Sequence, residues 1–332
     1  MKSALVLWVA ALMLGACAVS SAPPPPSQSM DIGAGVAPAS NCSQNSVVSV
    51  LPTKLTPTFA ADVDADPQAF YIDASNSTYV STVEVGDLFS VLEYGRLELG
   101  GASPILQTKR RIFLPWPHIA GVAGLKNGDY ILSDYRFSTL ILIDGRELLH
   151  GSGAIVTKGI AVLPSGVSAI ASFSSDVGGE FILVSFHKPG DLLRAESQLH
   201  VYNASSVFRD QIPVPSEVIT VNGVGGYYQG LKFVDNQFII ASRNVVGDYD
   251  RIDVISLRDT RLGSVGAQPR RPVLLSNCLS FRVIGVDGIE DISVAQRDGG
   301  DILLLTSDEK KNELLSLSIQ LPKLSRGGRT SQ

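Results

Sequence analysis

One phrase recurs along this chain, and it leaves few folds open. Gly121-Val122-Ala123-Gly124-Leu125 passes through Asn127-Gly128-Asp129 into Tyr130-Ile131-Leu132-Ser133-Asp134, and Thr139 to Ile143 follow. Gly230 to Val234 passes through Asp235-Asn236 into Phe238 to Ser242, with Ile252 to Ile255 next. Gly288-Ile289-Glu290-Asp291-Ile292 leads through Asp298-Gly299-Gly300 to Ile302 to Asp308, then to Glu313 to Leu317. A looser copy opens at Gly159-Ile160-Ala161-Val162, with later strands at Glu180 to Phe186 and Gln198 to Tyr202. Each copy reads as strand, tight turn, buried strand, loop and third strand, with no amphipathic helix of three turns between copies. A small meander cannot bury both of its faces alone, whereas copies stacked around an axis cover one another. The sequence therefore predicts an all-β fold, a single β-propeller. From Val47 to Leu321, at ~45 residues per blade, it makes about six blades, with five or seven left open by the irregular spacing. A β-sandwich is the alternative architecture.

Composition narrows the classes further. The chain has 332 residues, enough for a large core, and 45% of them are hydrophobic. Its charged fraction of 18% lies below the roughly 25% of ordinary soluble domains, which excludes disorder throughout. A formal charge of −5 supplies no surplus of cations for phosphates, so nucleic acid is not an expected partner. One segment, at the very start, is apolar enough to consider for a bilayer, and a polytopic membrane protein is excluded.

That first segment reads as an address. Met1-Lys2 is cationic, Ala4 to Met13 are apolar, and Leu14-Gly15-Ala16-Cys17 follow. The tetrapeptide resembles the lipobox of bacterial lipoproteins, and the Ser20 to Ser29 stretch with Pro23-Pro24-Pro25-Pro26 resembles their tethers. The resemblance implies acylation of Cys17 as the first mature residue and anchorage in a membrane. Ala18, standing where an aspartate signals inner-membrane retention in enterobacterial relatives, implies the outer membrane, with the domain facing the periplasm. An ordinary signal peptide cut after Ala16 or Ala22, or a short membrane anchor, is the other reading of the residues. The predicted organisation is a signal peptide at 1–16, a Pro/Ser/Ala/Gly-rich tether at 17–45, the propeller at 46–322 and a polar tail at 323–332. Of the three cysteines, Cys42 and Cys278 remain after Cys17. In an exported chain they suggest one disulfide, worth about 5 kcal/mol in the chain-entropy account, or else two buried thiols.

The repeated phrases resemble the six-bladed propellers of the phytase-like, NHL and SMP-30 group. The segment from Gly288 to Ile292, with Ile302 to Asp308 and Leu314 to Leu317, is similar to the closing blade of bacterial phytase-like domain proteins. Asp62-Val63-Asp64-Ala65-Asp66-Pro67-Gln68-Ala69-Phe70 resembles the phrase that opens β-propeller phytases, with alanine at one aspartate, an added residue and phenylalanine for tryptophan. The dense acidic clusters of calcium-loaded phytases are missing.

Candidate chemistry follows from the repeat. Glu290 falls on a strand that begins a blade, and Asp134 and Asp308 each end a second strand. Together their oxygens make a candidate site for a hard cation such as calcium, which could polarise an ester or phosphoryl oxygen. Turn aspartates at strand ends also commonly accept backbone hydrogen bonds, which is the plainer role for each. In the Phe238 copy the corresponding residue is Arg243, a candidate anion contact. His118, His150, His187 and His200 show no zinc spacing, and no Gly-x-Ser-x-Gly elbow is present. The expectation is a lipid-anchored binding or scaffolding module for a protein or envelope component. The alternative is a metal-dependent phosphoester or carboxylic-ester hydrolase of the phytase-like type.

Overall fold

In the computed structural model, the described residues are 47–50, 52–54, 65–73, 77–86, 88–98, 105–151, 154–175, 178–187, 196–222, 227–245, 249–257, 262–263, 273–286, 288–298, 301–308 and 313–321. All lie in one compact unit, Ser40–Gln332. Two short strands come first, β1 (Val47–Val50) and β2 (Thr53–Lys54). Blade 1 is β3 (Ala65–Asp73), β4 (Thr78–Val85), β5 (Phe89–Glu98) and β6 (Ile105–Leu114). Blade 2 is β7 (Ile119–Gly124), β8 (Tyr130–Asp134), β9 (Thr139–Ile143), a one-and-a-half-turn helix α1 (Gly145–His150) and β10 (Thr157–Val162). Blade 3 is β11 (Val167–Ser174), β12 (Glu180–Phe186), β13 (Glu196–Asn203) and β14 (Glu217–Asn222). Blade 4 is β15 (Gly230–Val234), β16 (Phe238–Val245), β17 (Tyr249–Ser256) and β18 (Val273–Val283). Blade 5 is β19 (Ile289–Asp298), β20 (Asp301–Asp308) and β21 (Glu313–Gln320).

Blade 5 takes its fourth strand from the other end of the chain. β2 pairs antiparallel with β21, Thr53 opposite Ser316 and Lys54 opposite Leu315. The first strands of the blades touch in cyclic order, β3 to β7 to β11 to β15 to β19 and back to β3. The described residues thus form a closed ring of five blades, and the expected six is corrected. The error came from a uniform blade length. Blade 3 runs from Val167 to Asn222 and blade 4 from Gly230 to Val283, both longer than the ~45 residues assumed. The looser copy was also misplaced at its start. Gly159 to Val162 belongs to β10, the outer edge of blade 2, where Ile160 and Val162 are exposed, and the first strand of blade 3 is β11.

The core explains why the strands read as unbroken apolar runs. Radial sheets are covered on both faces, so alternation disappears, as in Tyr130–Asp134, buried at every position. Five hydrophobic clusters fill the five spaces between neighbouring blades. Leu132 and Val80 meet between blades 1 and 2, and Ile131 and Ile182 between blades 2 and 3. Leu183 and Ile239 meet between blades 3 and 4, Ile240 and Leu304 between blades 4 and 5, and Phe70 and Leu305 at the closing seam. Outside the ring, β18 also pairs in parallel with β14 and with β1, which ties blades 3 and 4 and the N-terminal segment together.

Hydroxyl groups stitch the blades where the hydrophobic packing leaves backbone groups. Thr82 donates to the carbonyl of Ile119, Ser242 donates to that of Glu290, and the Ser185 hydroxyl accepts the Tyr228 amide. These residues share one register position, opposite Ala69, Ala169 and Gly230 in their own blades, and Ser133 stands at the same position opposite Gly121. Such pairings satisfy backbone groups that would otherwise be stranded between the sheets.

Candidate functional site at the mouth of the ring

The beginnings of the first strands and the ends of the second strands lie at the same end of the ring, because each pair is antiparallel. There the first strands bulge, between Pro67 and Ala69, Ile119 and Gly121, Val167 and Ala169, and Ile289 and Ile292. A bulge re-aims the side chain that it frees from the ladder. The bulge residues are Gln68, Ala120, Ser168 and Glu290, and in blade 4 Gln229 stands just before Gly230. Three consecutive blades, 4, 5 and 1, therefore bring Gln229, Glu290 and Gln68 to this end. The Gln229 amide donates to the Glu290 carboxylate at 2.9 Å. The side-chain oxygens of Gln68 and Gln229 are enclosed and accept no protein hydrogen bond.

Blades 2 to 4 supply a different wall. The rings of His118 and Tyr135 lie 5.3 Å apart, Tyr135 and His187 5.4 Å, and His187 and Tyr227 4.1 Å, the last two pairs edge-on. This arc of four partly exposed rings crosses three blades. At its near end the buried carboxylate of Glu84 holds His118 Nδ1 at 2.5 Å and Arg136 at 3.0 Å. With Nδ1–H donated to Glu84, the Nε2 lone pair of His118 is the one left to accept a proton or bind a donor.

The predicted site residues have separate tasks. Asp134 ends β8 opposite Ile119, and Asp308 ends β20 opposite Ile289, so the two are equivalent in register. Asp134 is fully buried, and its carboxylate accepts the Phe137 amide at 2.6 Å and the His118 amide at 3.4 Å. Burial raises its pKa, against the backbone hydrogen bonds that lower it. It shapes the turn that carries Tyr135 and Arg136. Glu290 is buried against Gln229, and the side chain of Asp308 lies outside the described residues. Among the described residues, no group of three or more His, Cys, Asp or Glu side chains is placed to hold a metal ion. Arg243 is buried inside blade 4, its Nε 2.5 Å from Asp253 Oδ2, while Asn277 and Ser280 donate to the other oxygen of Asp253. Cys17 and Cys42 lie outside the described residues, and Cys278 is buried in β18.

A second polar group lies further along the first strands. The Lys232 ammonium stands 3.9 Å from the centre of the Tyr71 ring, and Tyr71 in turn covers Gly124, where a Cβ would come within 2.6 Å of the ring. Asp291 is buried beside them, accepting the Phe70 amide at 2.9 Å and the Ile292 amide at 2.7 Å. Burial pushes Asp291 up to about 8 and Lys232 down to about 8, and the Tyr71 hydroxyl up to about 12.

Glu84, Tyr135 and Lys232 are not singled out in the sequence, where His187 is weighed only as a zinc ligand. A signal for Glu84, Tyr135 and His187 existed. Each falls two residues after the repeated hydroxyl, in Thr82-Val83-Glu84, Ser133-Asp134-Tyr135 and Ser185-Phe186-His187. Lys232 had no such marker.

No family model matches the chain, and no curated protein matches it. Among solved structures, hydrazine synthase of Kuenenia stuttgartiensis is similar over 76% of this chain and 59% of that one, at 10% identity and a TM-score of 0.44. The chain thus spans 59% of that neighbour's length.

Proposed function

We propose that the protein is a binding module held at the bacterial outer membrane through a lipid on Cys17, with the mouth of the propeller as its binding face in the periplasm. The observation that carries this reading is the arc of His118, Tyr135, His187 and Tyr227, four partly exposed rings across three blades. Rings with a polar edge offer large contact area with few rotamers to immobilise, which suits recognition. Gln229 and Glu290 close the opposite side with hydrogen-bonding groups. The ligand in this reading is a protein or envelope component. The experiment is sedimentation of the domain with peptidoglycan sacculi and with outer-membrane vesicles. Co-sedimentation with one of them, lost in the Tyr135→Ala, Tyr227→Ala double variant, supports the reading. Equal behaviour of wild type and variant overturns it.

A second reading is favoured by the Glu84–His118 pair, since a carboxylate holding an imidazole is the arrangement of a general base. It would serve hydrolysis of phosphoesters or carboxylic esters, with calcium as a candidate cofactor at Glu290 and Asp308. Turnover of p-nitrophenyl phosphate or p-nitrophenyl acetate, lost in His118→Gln, would favour this reading over the first.

A further inference from the structure

Five residues share one level of the axis, at the mouth end of the first strands: Gln68, Ala120, Ser168, Gln229 and Glu290. The backbones of blades 1 and 5 fix part of this collar. The Phe70 amide donates to Asp291 and the Ile72 amide to Ser293, so β3 and β19 run side by side. One step toward the mouth brings Gln68 to the level of Glu290. On the other flank Gln229 meets Glu290 directly, its amide nitrogen 2.9 Å from the carboxylate.

The collar is rich in acceptors and short of donors. Gln68 is 1% exposed, and its Oε1, like that of Gln229, is enclosed without a donor among the described residues. The two amide atoms of Gln229 are not interchangeable, because reversal would set its oxygen against the Glu290 carboxylate. Ala120 has no side-chain donor, and the Ser168 hydroxyl turns to Ser185. A buried amide oxygen without a donor destabilises a fold. Two of them beside a carboxylate form the acceptor half of a site whose donors come from a ligand.

The other half is aromatic. Tyr135 and Tyr227 both stand edge-on to His187, with ring centres 5.4 and 4.1 Å from it. A ligand suited to both halves has hydrogen-bond donors along its edge and an apolar face. A sugar ring is built this way, with hydroxyl groups around its rim and C–H bonds on its faces. We propose that the ligand of the mouth is a carbohydrate, whose hydroxyl groups donate to Gln68, Gln229 and Glu290 while a C–H face lies against the tyrosines. This inference rests on the reading of the mouth as the binding face and narrows its envelope component to a glycan. A peptide fits less well, because its backbone donors are spread along a chain while these acceptors gather at one level.

The experiment is binding of the detergent-solubilised full chain to immobilised peptidoglycan glycan strands and lipopolysaccharide O-chains, with peptidoglycan stem peptides for comparison. The expected result is that a glycan binds, the stem peptides do not, and Gln68→Met weakens the glycan about tenfold or more. That variant should melt at or above the wild-type temperature, since it removes an oxygen that has no donor. Binding of no glycan, or of stem peptides alone, overturns the proposal. So does a Gln68→Met protein that binds equally or melts far below wild type. A second measurement needs no variant: magnetisation transferred from the aromatic protons of wild type should reach the C–H protons of the bound sugar, and its absence contradicts stacking on the tyrosines. The two readings fail separately. If the Tyr135→Ala, Tyr227→Ala double variant loses co-sedimentation while no glycan binds, the mouth stands as the binding face and the carbohydrate falls. If the double variant sediments as wild type does, both fall.

Discussion

The Lys232 ammonium of blade 4 rests 3.9 Å from the centre of the Tyr71 ring of blade 1, with the Asp291 carboxyl group of the intervening blade 5 buried near it. Cation, ring and carboxyl group thus come from three blades and meet because the ring is closed. The pair of ionisable groups gives the fold a characteristic dependence on pH. Asp291 is protonated in the native state up to about pH 8 but ionises near its ordinary 3.8 when unfolded, so stability falls as pH rises between those values. Lys232 loses its proton in the native state above about 8 but keeps it to near 10.5 when unfolded, so stability rises between those values. The two together give a minimum near pH 8. Melting temperature against pH should show that minimum in wild type, and Lys232→Met should remove the rise on its alkaline side. A difference profile that is flat above pH 8 would contradict this.

Gly230 is held to its size by the next blade. A Cβ there would lie 2.5 Å from Ser242 Oγ, 2.6 Å from the Ile292 amide nitrogen and 2.8 Å from Asp291 Oδ1. The Ile292 backbone cannot step aside without disturbing the contact of blades 4 and 5. Gly230→Ala should cost about 1–3 kcal/mol in urea unfolding. Gly86→Ala is not a matched control, because its φ of +56° strains any side chain for another reason.

Much of this architecture was legible in the chain. The phrases at Gly121, Gly230 and Gly288 mark the first strands of blades 2, 4 and 5: at Gly121 and Gly230 a small residue sits where the next blade approaches closely, and Gly288 leads into β19 with a φ of +114°. Blade 1 was harder to read. Its first strand, Ala65–Asp73, has an acidic, proline-containing start, and its small residue is Ala69 rather than glycine. The closing strand β2 was hidden by its brevity, two residues of which neither is apolar over its length in the manner of a core strand. The site was less legible than the fold. Sequence reasoning chose carboxylates for their chemistry, and Asp134 and Glu290 are indeed buried at this end, yet Asp134 serves a turn. What converges there instead are rings and amides, whose meeting depends on which blades are neighbours.

The pairing of the N-terminal segment with blade 4 makes a prediction about the cysteines. β1 runs parallel to β18 with Val47 opposite Ser280 and Val50 opposite Val283. Cys42, outside the described residues, precedes Val47 by a few residues in the sequence, and Cys278 precedes Ser280 by two in β18. Peptide mapping of the mature protein without reductant should find Cys42 and Cys278 joined. Recovery of both as free thiols would end the disulfide proposal.

In the proposed lipoprotein reading, the anchor is a lipid on Cys17. Cys17→Ser should then move the protein from the membrane fraction to the soluble periplasmic fraction, since acyl chains supply about 0.8 kcal/mol per buried methylene. Retention of the variant on membranes would contradict the lipoprotein reading.

The binding face itself is tested most directly by site-specific photo-cross-linking in cells. A photoreactive residue is placed in turn at Tyr135, His187 and Tyr227 in the arc, and at Phe113 and Ile212, which are exposed elsewhere on the domain. The expected result is one common adduct from all three mouth positions and none from Phe113 or Ile212. Adducts from the two outer positions with none from the arc would show that the mouth of the ring is not where this protein meets its ligand.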